Sequence, residues 1–239
     1  MLDRNAVHVW CLDTERLNDA EVVSASALLS SEEGSRHRQL QIPEDRRDFA
    51  AAHALLRQSL SLYSDVSAKN WRFEVTSSGK PLILQEKSQK QESLSFSLSH
   101  TRGLVACAIG LQTAVGVDVE RLGRIVDIDS IAPLCLSSSE LDALKGFSGP
   151  ESQTRFLELW VLKEAFIKAT GKGLSGLKES SFRLREDGEI GLASRSVDGT
   201  GWHFELFPIT PQYRLGLAVN CSSPKVLFRW SDSRFATQN

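Results

Sequence analysis

Val115-Gly116-Val117-Asp118-Val119-Glu120 alternates a β-branched residue with a small or acidic one. On a strand, successive side chains leave opposite faces. Val115, Val117 and Val119 then share one face, and Gly116, Asp118 and Glu120 share the other. Two carboxylates point the same way from a rigid element, and they repel unless water or a cation stands between them. The pattern admits two readings. One is a strand end with solvated acids; the other is a divalent-cation site, because hard cations take oxygen ligands.

Downstream, Leu159-Trp160-Val161-Leu162-Lys163-Glu164-Ala165-Phe166-Ile167-Lys168-Ala169-Thr170 reads as a helix that is apolar on nearly every side, which implies burial. Glu164 and Lys168 are neighbours on it, one turn apart. Leu157 and Val161 fall on the same stripe, so a solvated surface pair does not fit. Charges in such a place are costly unless paired or bound to something. Gly171-Lys172-Gly173 suits the helix end and lets a backbone approach a phosphate. Upstream, Phe96-Ser97-Leu98-Ser99-His100-Thr101 reads as a strand end. Ser99 and His100 are adjacent, so they do not face each other as nucleophile and base, and no G-x-S-x-G elbow is present. Polar groups at a strand end can instead hold a phosphate. Gly79-Lys80-Pro81 is a turn without Walker spacing.

Around these segments the apolar periodicity alternates between strand and helix. Strands are expected at Ala6 to Leu12, Trp71 to Thr76, Leu82 to Leu84, Leu94 to Leu98, Leu104 to Leu111 and Ala114 to Glu120. Helices are expected at Glu21 to Leu29, from the Ser30 cap onward, and from Pro43 to about Leu62. Residues 85–93 are a polar loop. The second half continues with helices near 129–135, 138–146 and 151–170. Strands follow near 181–185, 189–192, 201–208 and 213–220. The short polar join Gln112-Thr113 is the expected boundary between subdomains at 1–112 and 113–239. The stretch from Ser222 onward carries no readable role.

Composition narrows the function classes. The chain has 239 residues, 41% hydrophobic and 24% charged, with 28 Lys plus Arg against 30 Asp plus Glu. The net charge of −2 argues against a nucleic-acid-directed surface. No apolar run approaches the roughly 20 residues of a membrane span, and the first residues lack the order of a signal peptide. Cys11, Cys107, Cys135 and Cys221 are far apart and lack metal-ligand spacing. Three of them sit among apolar neighbours, as buried free thiols do. A cytoplasmic, reducing compartment is expected.

Taken in order, these segments resemble the 4′-phosphopantetheinyl transferases, specifically the larger Sfp-type group. The resemblance rests on Gly79-Lys80-Pro81, on Phe96 with Ser99-His100-Thr101, and on Gly116-Val117-Asp118-Val119-Glu120. It also rests on Trp160 with Lys163-Glu164-Ala165, Lys168, Gly171, Gly173 and Leu174, and it covers roughly residues 30 to 185. The stretch Arg46-Arg47 with His53-Ala54-Leu55-Leu56-Arg57 resembles the family's arginine-bearing helix. Ser97 departs from the asparagine often found there. Asp48 stands where many members have a basic residue.

The resemblance implies an α+β fold of two similar subdomains related by a pseudo-two-fold. Each would be a small, mainly antiparallel sheet packed with helices, and the site would lie between the halves of a monomer. It implies Mg2+-dependent transfer of 4′-phosphopantetheine from coenzyme A to a serine of an acyl or peptidyl carrier protein, releasing adenosine 3′,5′-bisphosphate. Asp118, Glu120 and Glu164 are the implied metal ligands. Glu164, directly or through a metal-bound water, is the implied base, with Lys168 beside it on phosphate. Ser99, His100, Lys80, Lys163, Arg47 and Arg57 are the other implied coenzyme A contacts, with Asp118 and Lys168. Residues 160–185 hold six basic side chains against two acidic ones, a local excess suited to coenzyme A and an acidic carrier. The rival readings are a magnesium-dependent nuclease and a non-catalytic coenzyme A or carrier-binding module.

Overall fold

The computed structural model describes residues 2–84, 93–123, 127–173, 176–185, 187–193 and 199–231. The expected loop at 85–93 lies almost wholly outside the described residues, as does Leu174. The chain divides into two compact units: residues 1–76, 81–112 and 225–239 in the first, and 77–80 with 113–224 in the second.

In the first unit, β1 (Ala6–Asp13) is the apolar run at the start of the chain. Two short helices follow. α1 (Asp19–Ser26) is closed by a capping box between Asn18 and Glu21. α2 (Ser31–Gln39) is closed by one between Ser30 and Glu33, so both first turns have their orphan N–H groups satisfied. α3 (Pro43–Ser61) runs for 19 residues, with Pro43 in its first turn and Glu44 and Asp45 beside it. There the missing proline N–H costs nothing and acids suit the helix dipole. β2 (Phe73–Val75) and β3 (Pro81–Ile83) form a two-stranded ribbon. β4 (Leu94–Thr101) and β5 (Leu104–Leu111) form a hairpin.

Ala50, Ala54 and Leu55 of α3 meet Phe96, Val105, Cys107 and Ile109 of the hairpin in one apolar cluster. Cys11 and Cys107 are buried thiols, and burial raises both above the ordinary thiol range.

In the second unit, β6 (Val115–Arg121) is followed by α4 (Ile128–Cys135) and α5 (Ser138–Leu144). The long α6 (Gly149–Thr170) spans 22 residues. It ends at Gly171, whose φ of 71° is the left-handed cap that glycine takes without strain. β7 (Phe182–Leu184) and β8 (Ile190–Leu192) form a ribbon. β9 (His203–Thr210) and β10 (Tyr213–Val219) complete an antiparallel sheet in the order β6-β10-β9. Phe166 of α6 forms edge contacts with Phe182, Trp202 and Phe204 at ring separations of 4.9–6.2 Å.

The fold is the expected α+β type, each unit pairing a small sheet with one long helix. One element went unread. β11 (Lys225–Trp230) lies parallel to β1, with Ala6 opposite Lys225 and Trp10 opposite Arg229. It completes the first unit's sheet in the order β11-β1-β5-β4. The expected second subdomain of 113–239 therefore ends at 224, because this strand finds its hydrogen-bond partners on β1. Residues 77–80 cross the other way and join the second unit. Among the described residues, no helix is long and apolar enough to cross a membrane.

Candidate active site

Two glycines set the geometry of the second unit. A Cβ on Gly116 would lie 1.8 Å from the carbonyl oxygen of Ala165, and one on Gly216 would lie 2.5 Å from that of Val161. Bare backbone at these positions on β6 and β10 lets α6 lie directly against the sheet. Gly216 stands opposite Asp118 in the β6–β10 register. Asp118 shares a face with Gly116, so it emerges beside the helix. Lys168 then meets it, with Nζ 2.6 Å from Asp118 Oδ1. The structure thus brings Asp118 of β6 and Lys168 of α6 together within one unit, with Asp118 largely buried.

Glu164 sits one turn before Lys168. Its Oε1 is buried and makes no hydrogen bond among the described residues. Burial raises its pKa above the ordinary carboxylate value; the Asp118 charge adds to this and Lys168 opposes it. Two carboxylates near enough to repel, one of them desolvated, are a site that a cation relieves. Glu120 lies two residues past Asp118 on the same face, half-buried, opposite Arg214 on β10. Among the described residues no three His, Cys, Asp or Glu side chains are grouped closely enough to hold a metal alone.

Lys163, expected among the coenzyme A ligands, points the other way. It is fully buried, with Nζ 2.8 Å from Glu140 Oε2 and a further bond to the Ser180 carbonyl oxygen. Burial pulls its pKa down and Glu140 acts against that. Glu140 also caps α5 through the Ser137 N–H at 2.7 Å and accepts the Phe182 N–H at 2.7 Å. It thereby ties α5, α6 and β7 together. The Ser137-x-x-Glu140 spacing shows the cap in the sequence, but nothing local shows the tie to Lys163. The basic excess over residues 160–185 is one charge weaker for it.

Lys80 belongs to the second unit. Its Nζ donates to the Ala169 carbonyl oxygen at 2.6 Å, in the last turn of α6 where a cation suits the helix dipole. Burial lowers its pKa.

In the first unit, Ser99 is buried and His100 exposed on β4, and as neighbours on a strand they leave opposite faces. Arg57, another expected coenzyme A ligand, is buried. It donates to the Trp71 carbonyl at 2.7 Å and to Glu33 at 2.6 Å, and lies 5.0 Å over the Phe73 ring. Glu33 is held below the ordinary range: its bonds from His53, the Ser30 N–H and Arg57 outweigh the burial that acts against them. Arg47 keeps partial exposure and donates to Asp48 at 3.2 Å. Asp48, the departure from the family pattern, is a buried structural acid that also accepts from Thr14 at 2.5 Å and the Gly103 N–H at 3.2 Å.

Comparison with known proteins gives matches over both halves. A model described as 4′-phosphopantetheinyl transferase superfamily matches residues 114–218, and one described as 4′-phosphopantetheinyl transferase, N-terminal, matches 17–111. The 4′-phosphopantetheinyl transferase HetI of Nostoc sp. strain PCC 7120 is 32% identical over 178 residues, 74% of either chain. The 4′-phosphopantetheinyl transferase Sfp of Bacillus subtilis strain 168 is 27% identical over 194 residues, 81% of this chain and 83% of Sfp. A solved holo-(acyl-carrier-protein) synthase from Bacillus anthracis, in complex with CoA (3′,5′-ADP), is 21% identical. It superposes with a TM-score of 0.39 over 44% of this chain and 93% of its own.

Proposed function

The chain belongs to the 4′-phosphopantetheinyl transferases, and on that premise we propose that it is magnesium-dependent and modifies a serine hydroxyl of acyl or peptidyl carrier proteins. The observation that carries this reading is the Asp118–Lys168 pair set beside the desolvated carboxylate of Glu164. Being a transferase, the protein is neither of the rival classes, nuclease or non-catalytic binding module.

By the family resemblance Asp118, Glu120 and Glu164 would hold magnesium, and the repulsion between Asp118 and Glu164 supports two of the three. Bound there, the ion supplies neutralisation of pyrophosphate charge. The remaining work falls to side chains. Glu164 is the base the family resemblance implies, and would take the proton of the attacking serine. The serine oxygen bonds to the phosphorus carrying pantetheine. The bond from that phosphorus to the bridging oxygen breaks, and adenosine 3′,5′-bisphosphate leaves. Lys168 places a positive charge one turn from the base, where phosphate charge develops. The family resemblance assigns Ser99 and His100 to coenzyme A phosphates, and Lys80 with one arginine of the Arg46, Arg47 and Arg57 set to the adenine-nucleotide end.

The test is mass spectrometry of several apo carrier proteins incubated with enzyme, coenzyme A and magnesium. The expected result is a gain of one phosphopantetheinyl group on serine. No gain on any carrier overturns the proposal.

A further inference from the structure

On the first unit's sheet, β11 is an edge strand. Between β11 and the end of α3 lies a cavity of about 480 Å³, within the size range of small-ligand sites. It is distinct from the residues discussed above.

Its floor comes from two parallel strands in register. His8 of β1 lies opposite Leu227 of β11, and Trp10 lies opposite Arg229. Trp10 Nε1 donates to the Tyr63 hydroxyl at 3.1 Å, since an indole N–H can only donate. The Tyr63 hydroxyl also lies 2.6 Å from His8 Nδ1. His8 makes this contact through Nδ1, and its Nε2 makes no hydrogen bond among the described residues. Burial, and after it the Arg229 charge, hold the His8 pKa below its ordinary value.

Arg229 lies over the Trp10 ring at 5.6 Å, which orients its guanidinium without using its N–H donors. Neither Arg229 nor Lys225 has an ion-pair partner among the described residues. The polar lining holds the Lys225 ammonium and the Arg229 fork, with the His8 ring beside them. Asp3 is the one acid among the described lining residues. The apolar lining includes Leu62 and Leu227.

Two cations without an ion-pair partner among the described residues, beside an apolar wall, suit one chemistry. We propose that this cavity binds an oxyanion, carboxylate or phosphate ester, carried on a short apolar body.

The test is calorimetric titration of the full chain at pH 7.5 with hexanoate, hexyl phosphate and hexanol. One or both anions are expected to bind, and hexanol to bind about tenfold more weakly or not at all. Binding of hexanoate alone assigns a carboxylic acid, and binding of hexyl phosphate alone a phosphate ester. Lys225→Gln and Arg229→Gln are each expected to weaken the anion about tenfold without shifting the melting temperature, since both side chains are exposed. If Arg229→Gln loses stability through its Trp10 contact, Lys225→Gln carries the comparison. Saturating coenzyme A is expected to leave anion affinity unchanged, so failure of the transferase reading does not touch this one. Silence from both anions to about 20 mM, equal binding by the variants, or displacement by coenzyme A overturns the proposal.

Discussion

Lys168 Nζ stands 2.6 Å from Asp118 Oδ1, and the same ammonium opposes the upward shift of Glu164. One cation therefore serves two carboxylates. Replacing it with methionine is expected to lower turnover about a hundredfold or more. The acid limb of the pH–rate profile should also move to higher pH. Glu164, already raised by burial and by Asp118, loses the neighbour that holds it down. Turnover measured from pH 5 to 9 at saturating coenzyme A checks this, and an unmoved limb would show that Glu164 is not the titrating base.

Asp118→Asn acts on Glu164 in the opposite sense. Removing a like charge lowers the Glu164 pKa, so the acid limb should move to lower pH. The same change removes an oxygen ligand, and the magnesium concentration for half-maximal rate should rise about tenfold. A titration of rate against magnesium at two pH values separates the two effects.

Without metal, Glu164 weakens the fold at neutral pH. Its folded pKa lies above its unfolded one, so the stability it contributes is full at low pH and is lost as pH rises through the folded value. Glu164→Gln should therefore raise the melting temperature of EDTA-treated protein at pH 8, by about 2 °C. It should change little at pH 4. Differential scanning calorimetry at both pH values decides it.

The Lys163–Glu140 pair is fully buried, so breaking it leaves a charge stranded in the interior. Glu140→Ala should cost about 3–5 kcal/mol in urea unfolding. The double change Lys163→Met with Glu140→Gln should cost less, and should keep KM for coenzyme A within about twofold of wild type. A large rise in KM for the folded double variant would return Lys163 to the coenzyme A site.

Gly116→Ala and Gly216→Ala test the close approach of α6. Each added methyl meets helix backbone rather than a flexible side chain. Each should cost at least ~3 kcal/mol, with Gly116 the more severe. Near-native stability of either variant would show that the helix can lift from the sheet without penalty.

Much of this was legible in the sequence because it is local. The alternation at 115–120 places Asp118 on the face of Gly116, and the turn spacing places Glu164 beside Lys168. The Ser30 cap and Pro43 mark two helix starts. What the sequence hides is pairing across distance. Lys163 looks like its neighbours in the motif, and only the fold supplies Glu140. Arg57 sits in an arginine-bearing stretch, and only the fold seals it against Glu33 and Phe73. β11 is six residues without a turn partner nearby, so its place beside β1 has no local signature.

That parallel strand also dictates an order of events. The first unit begins and ends the chain, and the second is inserted within it. On the ribosome, β1 emerges roughly two hundred residues before its outer neighbour, so the sheet's edge must wait while the inserted unit is made. A nascent chain halted before Lys225 presents β1 with one side of its hydrogen-bond ladder open. Such an exposed ladder is what chaperones cover and aggregates exploit.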